Sequence, residues 1–241
     1  MKAYLLAAGL GTRLKPLTDR IPKCLVPIAG QALLGIWFEL CARHGISAVL
    51  VNLHHLPDAV RAFVAAYRGP LHIETVHEPV LLGSAGTVSA QREFVAGEAA
   101  FWILYADNLT TVDLTRMLAF HHNRRAEFTI GLAPTDTPRE KGILTLDEDG
   151  RVLNFTEKPS EPRSNLANAG LYIAGPSLFE LLDPAAPRPF DFGLHVLPRL
   201  VGRMHGYRIS EYLQDIGTPA ALASAESHWR QAHHELVNLC N

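Results

Sequence analysis

Lys2–Thr18 reads KAYLLAAGLGTRLKPLT, and Pro22–Pro27 reads PKCLVP. The apolar run Ala3–Ala8 predicts a buried strand, which leads directly into Gly9 and Gly11. Glycine lets the backbone approach a phosphate closely, and successive N–H groups in such a loop form an anion-binding concavity. A strand that ends in this kind of loop predicts a nucleotide site at the edge of an α/β sheet.

Two cations follow the glycines and suit the same ligand. Arg13 offers a planar fork for phosphate oxygens, and Lys23 offers a compact point charge. Leu14 stands where a dinucleotide fingerprint needs its third glycine, and no Gly-Lys-Ser/Thr tripeptide completes a P-loop. Taken alone, the loop leaves a second interpretation open, which is a tight strand-to-helix turn with two surface cations.

The whole string through Pro27 resembles the signature of the sugar nucleotidyltransferases, also called nucleoside-diphosphate-sugar pyrophosphorylases. Their pattern is roughly L-A-G/A-G-x-G-T-R-x-x-P-L-T followed by P-K-P-L-x-P, and this chain departs from it at Cys24, where proline is usual. The resemblance implies that Arg13 and Lys23 are catalytic residues. It also implies that the same stretch binds the nucleotide through Leu6, Ala8, Gly9, Gly11 and Thr12.

Two aspartates resemble the metal-binding stretches of the same family. Asp107 precedes Asn108 after an apolar strand, and Asp215 begins the sequence DIGTP. An aspartate at a strand end commonly caps a helix or forms a turn, so neither position is informative alone. Together with the signature, the two segments imply a Mg²⁺ cofactor held by Asp107 and Asp215, and they add Asp107 to the catalytic residues.

Three further segments resemble the sugar-binding side of the family site. FTEKP contains Glu157 and Lys158, NAGLY begins at Asn168, and Gly142 stands where the family brings its backbone close to the hexose. In isolation, each segment is better explained as a surface ion pair or an ordinary strand start. The resemblance implies that the lysine meets the sugar phosphate and the glutamate meets sugar hydroxyls. The implied sugar-phosphate-binding residues are Asn108, Gly142, Glu157, Lys158 and Asn168.

The reaction that the resemblance implies is nucleotidyl transfer. A phosphate oxygen of a sugar 1-phosphate attacks the α-phosphorus of a nucleoside triphosphate in line, and pyrophosphate leaves. Because no covalent enzyme intermediate is needed, the protein mainly positions two anions and neutralises charge. In this scheme Arg13 holds the departing β- and γ-phosphates, Lys23 stabilises charge near the α-phosphate, and Lys158 holds the nucleophile.

The stretch EPVLLGSAG, Glu78–Gly86, resembles the family's base-recognition loop, in which a Gln or Glu faces the base edge. The carboxylate of Glu78 only accepts hydrogen bonds, and guanine offers the adjacent donors N1–H and N2–H₂. We therefore expect bidentate pairing and favour GTP, with UTP or dTTP as the alternative. Gly83 and Ser84 are expected to complete the nucleotide site, because LGSAG resembles the LGTAG of guanylyltransferases that act on mannose 1-phosphate.

Several functional alternatives stay open. Mannose 1-phosphate is the family's default acceptor for a guanylyl enzyme, but heptose, cyclitol and other hexose phosphates share the same motifs. A uridylyl- or thymidylyltransferase is a second interpretation, and a non-catalytic regulatory subunit that binds a nucleotide sugar is a third. An NAD(P)-dependent oxidoreductase is disfavoured because the third glycine is missing.

Composition suits one catalytic domain, with residues 1–110 expected to bind the nucleotide and residues 111–220 the sugar. The 241 residues are 48% hydrophobic, and the net charge of −2 argues against binding to nucleic acid or to an anionic membrane. We see no signal-peptide pattern, no apolar stretch of membrane-spanning length and no regular cysteine spacing, and therefore expect a cytoplasmic protein. The closing helix predicted over Ala220–Leu236 is a candidate homodimer interface.

Strand and helix patterns alternate, which predicts an α/β fold with a Rossmann-like, doubly wound, mixed and mainly parallel sheet of the nucleotidyltransferase type. The hexapeptide repeats of a β-helix domain are absent from the sequence. The predicted strands are Ala3–Ala8, Ala48–Leu53, Leu71–Val76, Phe101–Ala106, Phe128–Ala133, Gly142–Asp147, Arg151–Thr156, Leu171–Ala174 and Tyr207–Tyr212. The predicted helices are Leu33–His44, Pro57–Tyr67, Ser84–Phe94, Asp113–Asn123, Ser177–Leu182 and Ala220–Leu236.

Overall fold

The computed structural model describes the backbone of residues 1–239 and the side chains of residues 1–231. None of the helices in that range is long and apolar enough to span a membrane. The strands are β1 Lys2–Leu6, β2 Pro27–Ile28, β3 Gln31–Ala32, β4 Ala48–Leu53, β5 His72–His77, β6 Phe101–Tyr105, β7 Asn108–Thr110, β8 Phe128–Pro134, β9 Gly142–Leu146, β10 Val152–Glu157, β11 Leu166–Ala174, β12 Met204–Arg208 and β13 Leu213–Asp215. The α-helices are α1 Leu33–Arg43, α2 Pro57–Ala66, α3 Ser84–Ala90, α4 Leu114–Asn123 and α5 Pro219–Leu239.

Nine of these strands form the central sheet, in the order β10-β9-β11-β6-β1-β4-β5, with β8 beside β11 and β12 beside β8. Strands β6, β1, β4 and β5 are parallel, so their carboxyl ends meet at one edge. Strand β11 runs antiparallel to β6 and begins the other half of the sheet, which contains the antiparallel pair β9–β10. The mixed α/β sheet predicted from the sequence is therefore confirmed.

Both faces of the sheet are covered, as a doubly wound fold requires. Along β1, Ala3 and Leu5 belong to an apolar cluster on one face, and Tyr4 belongs to the cluster on the other. Successive side chains of a strand point to opposite faces, so a strand buried on both faces needs apolar residues at every position. Trp37 of α1 packs into the first cluster and Phe192 into the second.

A short ribbon of β7 and β13 was not predicted, and it determines the geometry of the site. Asn108 of β7 pairs with Asp215 of β13 in antiparallel register, and the N–H of Ile216 donates to the carbonyl of Asp107 at 3.1 Å. Strands of three residues are too short to show a period-two pattern in the sequence. The ribbon brings two segments that are far apart in the chain to the carboxyl end of β6.

Most predicted elements are present with slightly shifted ends, but two strands differ more. The strand predicted at Tyr207–Tyr212 is β12, which begins at Met204 and continues through Gly206, a residue that usually weakens a strand. Strand β11 begins at Leu166, earlier than predicted, and includes the polar residue Asn168. The register shifts between Asn168 and Tyr172, where Gly170 has a φ of +72°, and such a bulge changes the direction of a strand. Helix α3 ends earlier than predicted.

Candidate functional site

A first cavity of about 380 Å³ opens at the carboxyl ends of β1, β4 and β6. This is the edge at which an open α/β sheet binds its ligands. Of the eight residues predicted to bind the nucleotide, Gly11 and Thr12 lie further along the glycine loop and do not line the cavity. The other six do line it, and they are Leu6, Ala8, Gly9, Glu78, Gly83 and Ser84.

The protein itself holds the glycine loop in place. Gly11 has a φ of +63°, and an added Cβ there would lie 2.7 Å from Cγ2 of Thr18, so a larger residue does not fit. The hydroxyl of Thr18 donates to the carbonyl of Gly11 at 2.8 Å. Nε2 of His55, which follows β4, donates to the carbonyl of Thr18 at 2.6 Å. These contacts keep the loop in a shape that can receive an anion.

A buried polar network braces the first cavity. Asn52, near the end of β4, accepts a hydrogen bond from the N–H of Ala7 at 2.7 Å and donates one to Oε1 of Glu78 at 3.0 Å. The hydroxyl of Thr87 donates to the same Oε1 at 2.6 Å, and the N–H of Leu82 donates to Oε2 at 3.1 Å. Glu78 is only 2% exposed, so these partners replace the water that its carboxylate has lost.

This network corrects the role predicted for Glu78. A carboxylate has about four lone-pair positions, of which Oε1 already uses two and Oε2 one. Bidentate pairing with guanine needs a free position on each oxygen, and the geometry therefore does not support that pairing. One position on Oε2 stays open to a single donor.

A distant segment closes one side of the first cavity. Oδ1 of Asp191 accepts hydrogen bonds from the N–H and the hydroxyl of Ser84, at 3.1 and 3.2 Å. The carbonyl of Phe190 accepts hydrogen bonds from the N–H groups of Ala85 and Gly86, both at 2.9 Å. These contacts satisfy N–H groups in the first turn of α3, which have no partner within the helix.

A second cavity, of about 570 Å³, lies beside the first, and Asp107 lines both. Its walls come from β9, β11 and the ribbon of β7 and β13. It collects most of the residues that were predicted to bind the sugar phosphate and the metal. Those residues are Asn108, Gly142, Glu157, Asn168 and Asp215, and Arg13 reaches the same cavity.

Lys23 joins the two predicted metal ligands. Its Nζ lies 2.8 Å from Oδ2 of Asp107 and 3.2 Å from Oδ1 of Asp215, and its side chain is only 8% exposed. Burial alone would lower the pKa of Lys23, but the two carboxylates outweigh burial and raise it. Burial alone would raise the pKa of Asp215, but Lys23 and Lys141 lower it. Arg13 completes the cluster, 3.8 Å from Oδ2 of Asp215.

The donor chemistry of this cluster fits a magnesium ion. Mg²⁺ in nucleotide enzymes is bound by one or two carboxylates together with substrate phosphates and water. Asp107 and Asp215 present carboxylate oxygens around one position, and the ammonium group of Lys23 shows that this position suits a cation. Among residues 1–231, no group of three or more His, Cys, Asp or Glu side chains could hold a metal ion. A magnesium ion at this position would need water or substrate oxygens to complete its shell.

Glu157 is a carboxylate of the second cavity whose surroundings differ from those of Asp107 and Asp215. It is half-buried and accepts no hydrogen bond from any residue that the structure describes. Burial raises its pKa, and the charge of Lys158 opposes this effect. Gly142 and Gly193 approach it closely, since an added Cβ would lie 2.7 Å or 2.8 Å from Oε2, respectively. A carboxylate of this kind is suited to accept hydrogen bonds from ligand hydroxyl groups.

Two lysines lie near the β9–β10 pair, and only one of them lines the second cavity. Lys158 is exposed, has a φ of +47° and does not line the second cavity, so its contact with a sugar phosphate stays a prediction. Lys141, which we did not single out in the sequence, lines that cavity with its Nζ 3.1 Å from Oδ2 of Asp215. Its position directly before Gly142 is the signal that could have identified it.

Two other site residues were also missed. Asn52 is the polar member of the buried run AVLVNL, and a buried amide in an apolar strand indicates a hydrogen-bond network. Asp191 carries no comparable signal, because its partner Ser84 is distant in the sequence. Cys24, the departure from the family pattern, is a buried free thiol whose pKa burial raises to about 12, so it is not a reactive thiolate.

The chain is similar to known proteins over most of its length. The family model described as nucleotidyl transferase matches residues 2–232. The chain is 30% identical over 224 residues to mannose-1-phosphate guanylyltransferase catalytic subunit beta of Dictyostelium discoideum, across 91% of this chain and 62% of that protein. It is 31% identical over 216 residues to UTP–glucose-1-phosphate uridylyltransferase of Synechocystis, across 83% and 55%. The chain therefore spans less than two thirds of these relatives' length.

Solved structures share the fold. The structure of an apo UDP-glucose pyrophosphorylase matches with a TM-score of 0.84 at 18% identity, across 96% of this chain and 98% of that one. The sheet order, the two cavities at its edge and the match over residues 2–232 lead to the same conclusion, which is that the chain belongs to the nucleotidyl transferase family.

Proposed function

We propose that this protein transfers a nucleoside monophosphate from a nucleoside triphosphate, with GTP favoured, to a sugar 1-phosphate, and so forms a nucleoside diphosphate sugar and pyrophosphate. The observation that carries the proposal is the position of Asp107, which lines both cavities and is joined to Asp215 through Lys23. Substrates bound in the two cavities bring their phosphates together at this cluster of charges.

The side chains divide the task of holding two anions. The base and ribose occupy the first cavity, and the triphosphate extends along the glycine loop towards Arg13, which holds the departing pyrophosphate. Lys23 lies where negative charge develops near the α-phosphate. Glu157 accepts hydrogen bonds from the sugar and so orients the attacking phosphate in line. Positioning and charge neutralisation of this kind are the main requirements of phosphoryl and nucleotidyl transfer.

We propose that Asp107 and Asp215 hold a magnesium ion, which supplies neutralisation of phosphate charge and a fixed orientation of the phosphate oxygens when bound. Lys23 keeps the two carboxylates near each other at 2.8 and 3.2 Å from its Nζ. It therefore limits their repulsion while the position between them holds no metal ion.

GTP is favoured by the relationship to the guanylyltransferase of Dictyostelium discoideum and by the sequence LGSAG. The open acceptor position on Oε2 of Glu78 suits N1–H of guanine, but it equally suits N3–H of uracil or thymine. A uridylyl- or thymidylyltransferase is therefore the second candidate, supported by the uridylyltransferase relative of Synechocystis. Mannose 1-phosphate is the proposed acceptor on the same grounds as GTP. The cytoplasmic location and the homodimer stay predictions.

The experiment that tests the proposal is pyrophosphate release from a matrix of nucleoside triphosphates and sugar 1-phosphates, with Mg²⁺ and with EDTA. We expect metal-dependent release with one preferred pair, GTP and mannose 1-phosphate first among them. Preference for UTP or dTTP would select the second candidate. No release from a folded protein that still binds a nucleotide sugar would overturn the enzymatic proposal in favour of a regulatory subunit.

A further inference from the structure

We propose that Lys141 binds the phosphate group of the acceptor and is a further catalytic residue of the second cavity. The inference rests on the proposed function, because it assigns a residue to one of its two substrates. Lys141 lies directly before β9, lines the second cavity and places its Nζ 3.1 Å from Oδ2 of Asp215.

The backbone around Lys141 places it between the metal and sugar sides of the cavity. Gly142, the next residue, approaches Glu157 so closely that an added Cβ would lie 2.7 Å from Oε2. The side chain of Lys141 extends to Asp215. In the proposed complex, the hydroxyls of the sugar 1-phosphate contact Glu157 and its phosphate faces Asp107 and Asp215. The phosphate therefore lies beside the ammonium group of Lys141.

The charges of the cluster leave Lys141 available for a substrate. Asp215 has three cations within 4.0 Å, since Lys23, Lys141 and Arg13 lie 3.2, 3.1 and 3.8 Å from its oxygens. Lys23 is buried between both aspartates, and one buried cation already offsets much of their repulsion. The side chain of Lys141 is 34% exposed, so it can turn towards a phosphate while Asp215 keeps a cationic partner.

The other lysine of the region lies further from this position. Lys158 is exposed and does not line the second cavity. Its backbone N–H donates to the carbonyl of Lys141 at 3.0 Å, so the two residues share a strand pairing while their ammonium groups lie in different surroundings. Lys141 is thus the lysine that the geometry places beside the acceptor phosphate.

The test compares Lys141→Met with Arg139→Met, a matched control. Arg139 is an exposed cation in the same loop that does not line the cavity. A charged hydrogen bond to a phosphate is worth about 10- to 100-fold in affinity. We expect Lys141→Met to raise the KM for the sugar 1-phosphate by that factor and to change the KM for the triphosphate less than about twofold. We expect Lys141→Arg to restore most of the loss, and Arg139→Met to have no effect.

An unchanged KM for the sugar 1-phosphate in Lys141→Met would overturn the inference, and so would equal increases in both KM values, which indicate loss of the charge cluster as a whole. Lys141→Gln replaces Lys141→Met if the latter does not fold. If no substrate pair reacts with the unaltered protein, the proposed function fails by itself. Calorimetric binding of mannose 1-phosphate to the unaltered protein and to Lys141→Met then tests the inference separately, and equal affinities would contradict it.

Discussion

Two glutamates show how differently the two cavities are built. Glu78 in the first cavity is 2% exposed and accepts hydrogen bonds from Asn52, Thr87 and Leu82. Glu157 in the second is half-buried and accepts none from the residues that the structure describes. The first cavity is therefore held by bonds within the protein, whereas the second presents charge that a ligand has to satisfy.

This difference predicts a division of labour. A network whose members are all satisfied is rigid, because any movement leaves a buried polar group without a partner. Such a network suits a surface that recognises a planar base. A carboxylate without a hydrogen-bond partner is free to accept hydrogen bonds from a ligand, and Glu157 is of this kind. The two cavities meet at Asp107, which Lys23 joins to Asp215, so substitutions of these aspartates should affect both substrates.

The largest effect is expected where the cavities meet. Asp107→Asn and Asp215→Asn should each lower kcat by about 10²–10³, the cost of losing one preorganised electrostatic contact. Arg13→Ala should lose a similar factor, because Arg13 lies in the same cluster. Initial rates of pyrophosphate release measure the loss. Asp19→Asn is the matched control, since Asp19 is an exposed aspartate of the signature segment paired with Lys15. Near-normal turnover in folded Asp107→Asn would contradict the role of Asp107 at the junction of the two cavities.

The network of the first cavity gives the next largest effect. Asn52→Ala removes partners from Ala7, Glu78 and Thr87, and it should lower the free energy of unfolding by about 1–3 kcal/mol. We also expect the KM for the triphosphate to rise about tenfold while the KM for the sugar phosphate stays within about twofold. Urea unfolding and initial rates measure the two effects. The exposed Asn123 provides the control Asn123→Ala. A change confined to the sugar phosphate would reverse the assignment of the cavities.

Glu157→Gln tests the second cavity and should have a smaller effect. The side chain keeps its size, and only its charge and part of its accepting capacity are lost. We expect the KM for the sugar phosphate to rise about threefold to tenfold. Because burial raises the pKa of Glu157, acidification protonates this carboxylate before an ordinary one. As the pH is lowered towards the ordinary range of carboxyl pKa values, the KM of the unaltered protein should therefore rise more steeply than that of Glu157→Gln. Parallel pH profiles would show that Glu157 does not contact the acceptor.

The smallest effect is expected for a substitution outside both cavities, at His121. It concerns the stability of the protein in acid, and so provides a baseline for the pH dependence measured with Glu157→Gln. Burial, helped by the charges of His122 and His205, lowers its pKa to about 4, and its Nδ1 lies 2.8 Å from Oγ1 of Thr129. The unfolded chain, with a histidine pKa of about 6.5, binds more protons in this window, so the free energy of unfolding falls as the pH falls from 6.5 towards 4.

We expect His121→Asn to reduce that loss of stability by on the order of 1–2 kcal/mol, without changing either KM at neutral pH. Urea unfolding at about pH 7 and about pH 4.5, with His77→Asn as the exposed control, measures the difference. An equal loss in His121→Asn and the unaltered protein would show that His121 does not contribute to acid sensitivity.

The sequence indicated which residues line the two cavities better than it indicated the contacts among them. A ligand site is indicated by two local patterns in the sequence, which are the strand and glycine loop of Lys2–Thr18 and the apolar strand that ends before Asp107. The pairing of Asp107 with Asp215 depends on a ribbon of three-residue strands, whose register is visible only in the fold. The bonds of Glu78 depend on Asn52 and Thr87 from other elements, which no local pattern could supply.

The most direct measurement is a crystal structure with a non-hydrolysable GTP analogue, mannose 1-phosphate and Mg²⁺ bound together. The account predicts the base in the first cavity beside Gly83, the sugar in the second beside Glu157, and both phosphates at Asp107 and Asp215. Both ligands in one cavity, or phosphates bound away from the two aspartates, would contradict it.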